Sequence, residues 1–286
     1  QTDGLDNQIL YYRVGVTTGS YVAGTIVMTL VYSAGSIDGV ARITAYSSST
    51  SVSAEVLVHL GGTSATSIWA EGEWSDYRGW PSAVGFYEAR LGWAGKAGIW
   101  FSQTDAFDSF LEFNTDGTPV GDSGPIARTI GSGPVDIINY IMPLQRVVLG
   151  GQMSEFSVRS SALDEPLTPT NFNLKACSTQ GSSAVQPIKI DSHGMYVQGG
   201  GTRVFELEFS NETYDYTSVD ATLFVPEIGG ALGTDTHIVR MAVQRQPDTR
   251  VHCVRSDGVV ALLVYDKAEN VMAWQTVSTD GNIEDV

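Results

Sequence analysis

The fold is predicted most clearly from the segment His237–Gly281, which reads HIVRMAVQRQPDTRVHCVRSDGVVALLVYDKAENVMAWQTVSTDG. Short turns divide this segment into apolar-rich runs, and Asp257-Gly258 supplies the positive φ that a tight hairpin needs. The spacing predicts four antiparallel strands in chain order, at His237–Gln244, Arg250–Val254, Val259–Asp266 and Val271–Val277.

The third of these strands carries apolar residues on both sides of its pleat, because the run VVALLV at 259–264 places aliphatic side chains on each face. A sheet with one face in water would alternate apolar and polar residues instead. We therefore expect this sheet to be covered on both faces, like the four-stranded blades of a β-propeller.

A pattern of strand, polar turn and strand recurs along the chain at a period of roughly fifty residues, as in propeller blades. The copies are Ala83–Gly95, Val135–Gly151, Pro187–Gly200 and Ile238–Gly258. A third strand is predicted after each copy, at Ile99–Gln103, Glu155–Arg159, Val204–Phe209 and Val259–Asp266. We expect loops at blade ends in the insertions Phe107–Ile126, Leu163–Asn173 and Glu212–Gly233.

The first part of the chain has a separate strand pattern, at Tyr11–Val16, Thr25–Tyr32, Val40–Tyr46 and Val52–Leu60. So short a segment favours a small closed or half-open β-barrel. We predict an all-β protein, with a small β-barrel domain at residues 1–70 and β-propeller-like four-stranded antiparallel blades at 71–286, forming part of a larger propeller.

Aromatic residues are crowded where the two predicted domains meet, at Trp69, Trp74, Tyr77 and Trp80 before Pro81. Aromatics at this density either bind a planar ligand or fix one domain against the next. The absence of a convergent polar set in the sequence favours the contact between domains.

Composition narrows the possible functions. The chain has 286 residues, of which 42% are hydrophobic and 17% charged, with 31 glycines, a balance typical of turn-rich all-β proteins. The net charge of −16 argues against holding nucleic acid by its phosphates, since that requires clustered Lys and Arg. Such a surface either keeps the protein soluble or lets DNA slide past without sticking.

The ends and the apolar runs bear on location. No apolar run approaches the ~20 residues of a membrane span, so we expect no membrane insertion. The first residues, QTDGLDNQ, lack the basic start and apolar middle of a signal peptide. A chain that begins at Gln1 rather than Met is expected to be a piece of a longer polypeptide.

The most suggestive catalytic string is GDSGP at 121–125, which resembles the nucleophile motif of chymotrypsin-like serine proteases. The Ser123 hydroxyl would need a His base and a carboxylate that orients it. His59 is the one histidine upstream, and it lies in an apolar strand too close in sequence to Ser123 for a two-barrel protease. We expect a glycine-rich loop and no catalytic residue here.

Metal and phosphate sites are also not expected. The histidines His59, His193, His237 and His252 are scattered, and neither Cys177 nor Cys253 has a second thiol nearby. These cysteines read as buried free thiols. Gly199–Gly201 follows a strand with no helix after it, so a hairpin tip is expected rather than a phosphate loop. We predict no metal and no cofactor.

Acidic pairs leave one enzymatic alternative open. Asp105, Asp108 and Glu112, and also Asp215 and Asp220, lie close together in sequence. Glycosidases use two carboxylates on either side of a sugar. In so acidic a chain we favour the reading of these residues as solvated loop charges.

Several separated strings resemble one family in the same order along the chain. WSDYRGWPSAVGFYEARLGWAG, LTPTN at 167–171 and RVHCVRSDGVVALLVYDKAENVMAWQTVSTDG resemble the middle part of the tail nozzle (tail tubular B-type) proteins of short-tailed bacteriophages. GVARITAYSSSTSVSAEVLVHLGG is similar to their small barrel domain, which is named after ubiquitin-activating enzymes. That name denotes a fold and implies no ubiquitin chemistry. Such proteins are longer at both ends.

The resemblance implies a non-enzymatic structural protein of the virion tail, assembled in the host cytoplasm. Six copies would form the distal nozzle ring that continues and closes the DNA ejection channel, and genomic DNA would pass without specific binding. The implied partners are the tail adaptor and fibre or spike proteins. Two alternatives are a tail-associated propeller that binds or degrades carbohydrate and a soluble bacterial interaction propeller.

Overall fold

The structure is a computed structural model, and it describes residues 26–32, 37–58, 60, 69–74, 79–96, 98–112, 114, 118–130, 136–160, 165–230 and 233–286. Within these ranges the protein is all-β. Twenty strands form five four-stranded antiparallel sheets, and the helical content among them is one short 3-10 turn at Gly121–Ser123. We number the sheets 1 to 5 in chain order.

The chain divides into two compact units, residues 1–81 with 111–124, and residues 82–110 with 125–286. Sheet 1 lies in the first unit, with strands β1 Ile26–Tyr32, β2 Ile37–Ser48, β3 Ser51–Val58 and β4 Trp69–Glu71 in the order β3-β2-β1-β4. Three of the predicted N-terminal strands are confirmed. The remaining one, Tyr11–Val16, lies outside the described residues. Closure of this sheet into a barrel stays a prediction, and so does the domain boundary at residue 70.

The second unit contains four sheets, each a meander whose strands pair in chain order. Sheet 2 has β5 Pro81–Tyr87, β6 Arg90–Gly95, β7 Gly98–Phe101 and β8 Ile126–Thr129. Sheet 3 has β9 Ile138–Pro143, β10 Val147–Gly151, β11 Glu155–Arg159 and β12 Asn173–Ser178. Sheet 4 has β13 Ile188–Ile190, β14 His193–Val197, β15 Val204–Ser210 and β16 Asp215–Asp220. Sheet 5 has β17 Ile238–Gln244, β18 Arg250–Arg255, β19 Val260–Asp266 and β20 Val271–Val277.

Apolar side chains join each sheet of the second unit to the next, and we call these contacts seams. The 2/3 seam packs Ile99 and Phe101 against Ile141 and Leu149. The 3/4 seam contains Tyr140, Met142, Tyr196 and Leu207 among others, and the 4/5 seam contains Met195, Val204, Val251, Cys253 and Leu263 among others. Sheets that stack face to face in chain order form a propeller-like array of blades, as the sequence predicted.

The prediction of sheets covered on both faces is confirmed in β19, where Val260, Ala261, Leu262 and Leu263 are all buried. All five residues of β10, Val147–Gly151, are buried as well. A glycine gives close packing there: Gly150 pairs with Tyr140 of β9, whose ring lies over the glycine. An aromatic ring over a cross-strand glycine buries backbone that a bare glycine would leave exposed.

One loop prediction is wrong. Glu212–Gly233 was expected to be a loop at a blade end, but Asp215–Asp220 within it is β16, the fourth strand of sheet 4. Its sequence, DYTSVD, is too polar to stand out as a buried strand. It forms because it pairs with all but the first residue of β15 and because Tyr216 is buried in the 3/4 seam.

Candidate functional site

Polar side chains cross the 3/4 seam at the β9–β10 turn. Arg146 Nη1 donates a hydrogen bond to the Tyr214 carbonyl at 2.8 Å, and its guanidinium lies 5.6 Å from the centre of the Phe209 ring. The backbone N–H of Gln145 donates a hydrogen bond to the Tyr216 hydroxyl at 3.0 Å. These contacts tie a turn of sheet 3 to the last two strands of sheet 4.

A second polar group of the 3/4 seam lies on β11. Phe156 and Val158 face the 2/3 seam, so alternation turns Glu155, Ser157 and Arg159 toward sheet 4. Arg159 forms an ion pair with Asp215, whose side chain is only 7% exposed. Because one partner is nearly dry, removing either side chain would leave a poorly solvated charge in the seam.

The 4/5 seam is crossed by a network centred on Glu206, which is only 1% exposed. Its Oε1 atom accepts hydrogen bonds from the Tyr265 hydroxyl at 2.7 Å and from Lys267 Nζ at 3.1 Å. His193 Nδ1 lies 3.1 Å from the same oxygen. The carboxylate on β15 therefore joins its own sheet to β19 and to the turn that follows β19.

The network shifts the pKa values of its members. Burial and the Glu206 carboxylate raise the pKa of Tyr265, so its hydroxyl remains a donor. Burial lowers the pKa of Lys267, but Glu206 and Glu208 raise it by more, and the net shift is upward. At neutral pH the bridge to sheet 5 is thus a charge-assisted one.

A groove with a volume of about 770 Å³ opens beside this network. Three turns surround it, and they contribute Asp191, Arg245, Asp248 and Glu269 together with His193 and Lys267. Most of these charges are already paired: Arg245 with Asp191, Lys267 with Glu206 and Glu208, and Asp248 with Arg250. The groove is therefore polar and mixed in charge, and the described residues show no ion pair for two of its carboxylates, Asp266 and Glu269.

The serine of the predicted protease string lies in a short turn of the first unit. Ser123 lies in the 3-10 turn, where its hydroxyl contacts the Val120 carbonyl of the same turn at 3.5 Å. His59 lies outside the described residues. The other histidines belong to the second unit: His193 contacts Glu206, His237 contacts the Asp235 carbonyl, and His252 contacts Gln244.

The prediction of a buried free thiol holds for Cys253, Cys177 is free but only half-buried, and the glycine run is a hairpin turn as predicted. Cys177 and Cys253 are free thiols, half-buried and buried respectively, and burial raises the pKa of each to about 12. Gly199–Gly201 forms the turn between β14 and β15. Among the described residues, no group of three or more His, Cys, Asp or Glu side chains could hold a metal ion.

The acidic pairs differ from one another. Asp105, Asp108 and Glu112 are exposed in the loop between β7 and β8, as expected of solvated charges. For Asp215 and Asp220 that interpretation is wrong. They are the first and last residues of β16, and they form ion pairs with Arg159 and Arg203 respectively.

Sequence reasoning gave no sign of two of the buried acids in the seams, Glu155 and Glu206. Glu206 lies in VFELEFS, where charged and apolar residues alternate, a pattern that predicts one wet face. Glu155 opens the run EFSVR and gave no signal beyond its position at a strand end. Their burial depends on the neighbouring sheet, which a single strand does not reveal.

Among the exposed apolar side chains of the second unit are two groups that contain phenylalanines. Phe224 is 94% and Leu223 57% exposed in the loop after β16. The base of this loop is held by Thr222, which donates two hydrogen bonds to Asp220, and by Trp274, which donates to the Ala221 carbonyl. Phe86 and Phe107, packed edge to face at 5.4 Å, form the second exposed patch.

Only some of the aromatic residues clustered at the predicted domain junction are among the described residues. Trp69, Trp74 and Trp80 belong to the first unit, and Tyr77 lies outside the described residues. The interpretation of these aromatics as a contact between domains stays a prediction. In the part of the chain that the structure describes, no helix is long and apolar enough to cross a membrane.

Comparisons with known proteins add little to this picture. No family model and no curated protein matches the chain. Fifteen chains of solved structures match, among them the crystal structure of a protein from Lactobacillus plantarum. That protein is 10% identical, and the match covers 91% of this chain and 84% of the other with a TM-score of 0.36. So loose an overlap leaves the fold to rest on the strand pairings described above.

Proposed function

We propose that the chain is a structural protein of a short-tailed phage tail, a wall segment of the distal nozzle ring that continues and closes the DNA ejection channel. Six copies form the ring, which contacts the tail adaptor and fibre or spike proteins. The strings that resemble this family supply β5 and β6, the turn at 167–171 and β18 to β20.

The observation that carries the proposal is the way the sheets are joined. A channel wall must resist deformation, and both polar seams add buried hydrogen bonds and ion pairs to an apolar core. Arg159 with Asp215 and Lys267 with Glu206 each link one sheet to the next. Such links hold two packed faces in one register more strictly than apolar contacts alone do.

The charge of −16 supports passage of DNA. Phosphates bind surfaces that offer clustered Lys and Arg, and an acidic lining repels them. A nozzle needs its DNA to slide without sticking, so acidic side chains are expected toward the axis of the ring. An electrostatic map of the assembled ring with a neutral or basic lumen would contradict this part of the proposal.

The exposed apolar side chains fit a protein that is assembled from copies. A closed ring uses heterologous contacts, in which two different surfaces of the same chain meet. Phe224 and the Phe86–Phe107 patch are two such surfaces. We expect assembly to bury at least one of them.

Electron microscopy of the parent particle tests the proposal. Gold-labelled antibodies against the chain are applied to purified virions, with the same antibodies pre-absorbed on the purified chain as the control. Label at the tip of the short tail is expected. Label on the capsid, or fully tailed particles without label, would overturn it.

A second candidate function is binding or cleavage of carbohydrate, which the groove at the 4/5 seam favours through its carboxylates. Glu206 is an unsuitable acid because two hydrogen bonds already engage its Oε1 atom and His193 Nδ1 lies 3.1 Å from it. Asp266 and Glu269, which also line the groove, would have to serve. Depolymerisation of host polysaccharide that Glu269→Gln abolishes and the exposed control Glu227→Gln retains would establish the enzyme and exclude a purely structural role.

A further inference from the structure

The 3/4 seam contains a buried carboxyl group without a charged partner. Glu155 is 0% exposed. Among the described residues neither of its carboxyl oxygens has a partner at standard hydrogen-bond geometry, and the groups near enough to stabilise its charge, on Ser178, Gln180 and Tyr196, are uncharged. An ionised carboxylate in such a place is strongly disfavoured, so a group there binds a proton instead.

The groups around Glu155 are neutral. Tyr140 on β9, Cys177 on β12 and Tyr196 on β14 face it, and burial raises the pKa of all three. The cation on its own strand, Arg159, is paired with Asp215. Arg146, another described cation of the seam, is engaged with the Tyr214 carbonyl and the Phe209 ring, and no cation is among the groups that shift the pKa of Glu155.

We propose that Glu155 carries a proton in the folded protein at neutral pH and that loss of this proton loosens the 3/4 seam. The proton passes to water, and the carboxylate left behind is a bare negative charge beside two hydroxyls and a thiol. The seam relieves this charge only by admitting water. The 3/4 seam is thus sensitive to alkali through Glu155.

The direction of the pH effect follows from the proton balance. Burial raises the pKa of Glu155, against smaller opposing effects of Ser178, Gln180 and Tyr196. Between the ordinary pKa of 4.5 and this raised value, the folded chain binds a proton that the unfolded chain has released. The stabilisation that protonated Glu155 contributes to the folded protein is therefore fully present below the ordinary pKa. It is lost as the pH rises through the raised pKa of Glu155 in the folded protein.

The first test is the infrared spectrum of the folded protein at neutral pH. A band of a protonated carboxylic acid is expected in the wild type, and it should be absent from E155Q and retained in the exposed control E227Q. The same band should disappear on alkaline titration of the wild type. A wild-type spectrum without such a band at neutral pH would overturn the proposal, whether or not E155Q folds.

The second test follows the seam itself. Cys177 lies in the 3/4 seam and Cys253 in the 4/5 seam, and the pKa of each is raised to about 12. Iodoacetamide labelling of Cys177 should therefore accelerate more steeply with pH than labelling of Cys253, and in E155Q the two slopes should coincide. Equal slopes in the wild type would refute the loosening of this seam.

Discussion

Replacement of Gly150 by alanine should destabilise the protein sharply, because a tyrosine ring occupies the space that a Cβ atom would need. The new atom would lie 2.2 Å from Cε1 and Cζ of Tyr140. That ring is itself fully buried and packs 6.0 Å from the ring of Tyr196, between centroids. It cannot swing into solvent.

The size of the effect follows from this distance. Carbon atoms in contact prefer separations of about 3.5–4.0 Å, so the ring or the strand must move by roughly 1.5 Å. Overpacking of a dense core costs about 1–3 kcal/mol, and alanine returns ~0.5–1 kcal/mol of backbone entropy. We expect a net loss of about 1–2 kcal/mol, since a rigid ring places the cost at the upper end. This corresponds to a fall in Tm of about 2–8 °C.

Two other glycines provide matched comparisons in thermal unfolding. A Cβ at Gly194 would lie 2.2 Å from Met142 Sδ, but a thioether can change its rotamer, so Gly194→Ala should cost less. Gly200 has nothing within 4 Å, and Gly200→Ala should be nearly neutral. Shortening the ring in the double mutant Gly150→Ala/Tyr140→Leu should recover part of the loss. If the Tm of Gly150→Ala equals that of Gly200→Ala, the reasoning is wrong.

Three further predictions concern the seams and the exposed loop. Leu207→Ala opens a cavity in the 3/4 seam and should lower the free energy of unfolding in urea by about 2–5 kcal/mol with an unchanged m-value. Lys267→Met removes a charge-assisted bond to buried Glu206 and should cost about 1–3 kcal/mol. Because the pKa of Lys267 is raised, the stability difference between wild type and Lys267→Met should have its full size below pH 10.5, the ordinary lysine pKa. It should shrink as the pH rises above that value. Phe224→Ser should change stability by less than about 0.5 kcal/mol yet reduce association of copies in light scattering. A Phe224→Ser protein that assembles like the wild type would exclude this loop from the interface.

Strands with an apolar pattern between clear turns were predicted closely from the sequence. Glu155–Arg159 and Val271–Val277 match β11 and β20 at both ends. The fourth strands of sheets 2, 3 and 4 were harder, because a strand at the edge of a sheet needs few apolar residues and its pairing partner supplies the rest. That is why Asp215–Asp220 was expected to be loop.

The candidate site could not be predicted from sequence for a different reason. Glu206 and Lys267 are distant in the chain, and their contact requires the register of two sheets and the packing between them. His193 joins them from β14, the strand paired with β15. A single slip of β15 by one residue would turn Glu206 to the 3/4 seam. Local patterns give the strand but not the seam that a given side chain enters.

The meander of each sheet has a consequence for how such a chain can diverge. The turns β13–β14, β17–β18 and β19–β20 all reach the same rim, where they surround the groove. Residues added to these connections would lengthen the rim without disturbing a buried face. Homologous chains should therefore differ in length first at 246–249 and 267–270, so that recognition at one end can change while the stacked framework is inherited intact.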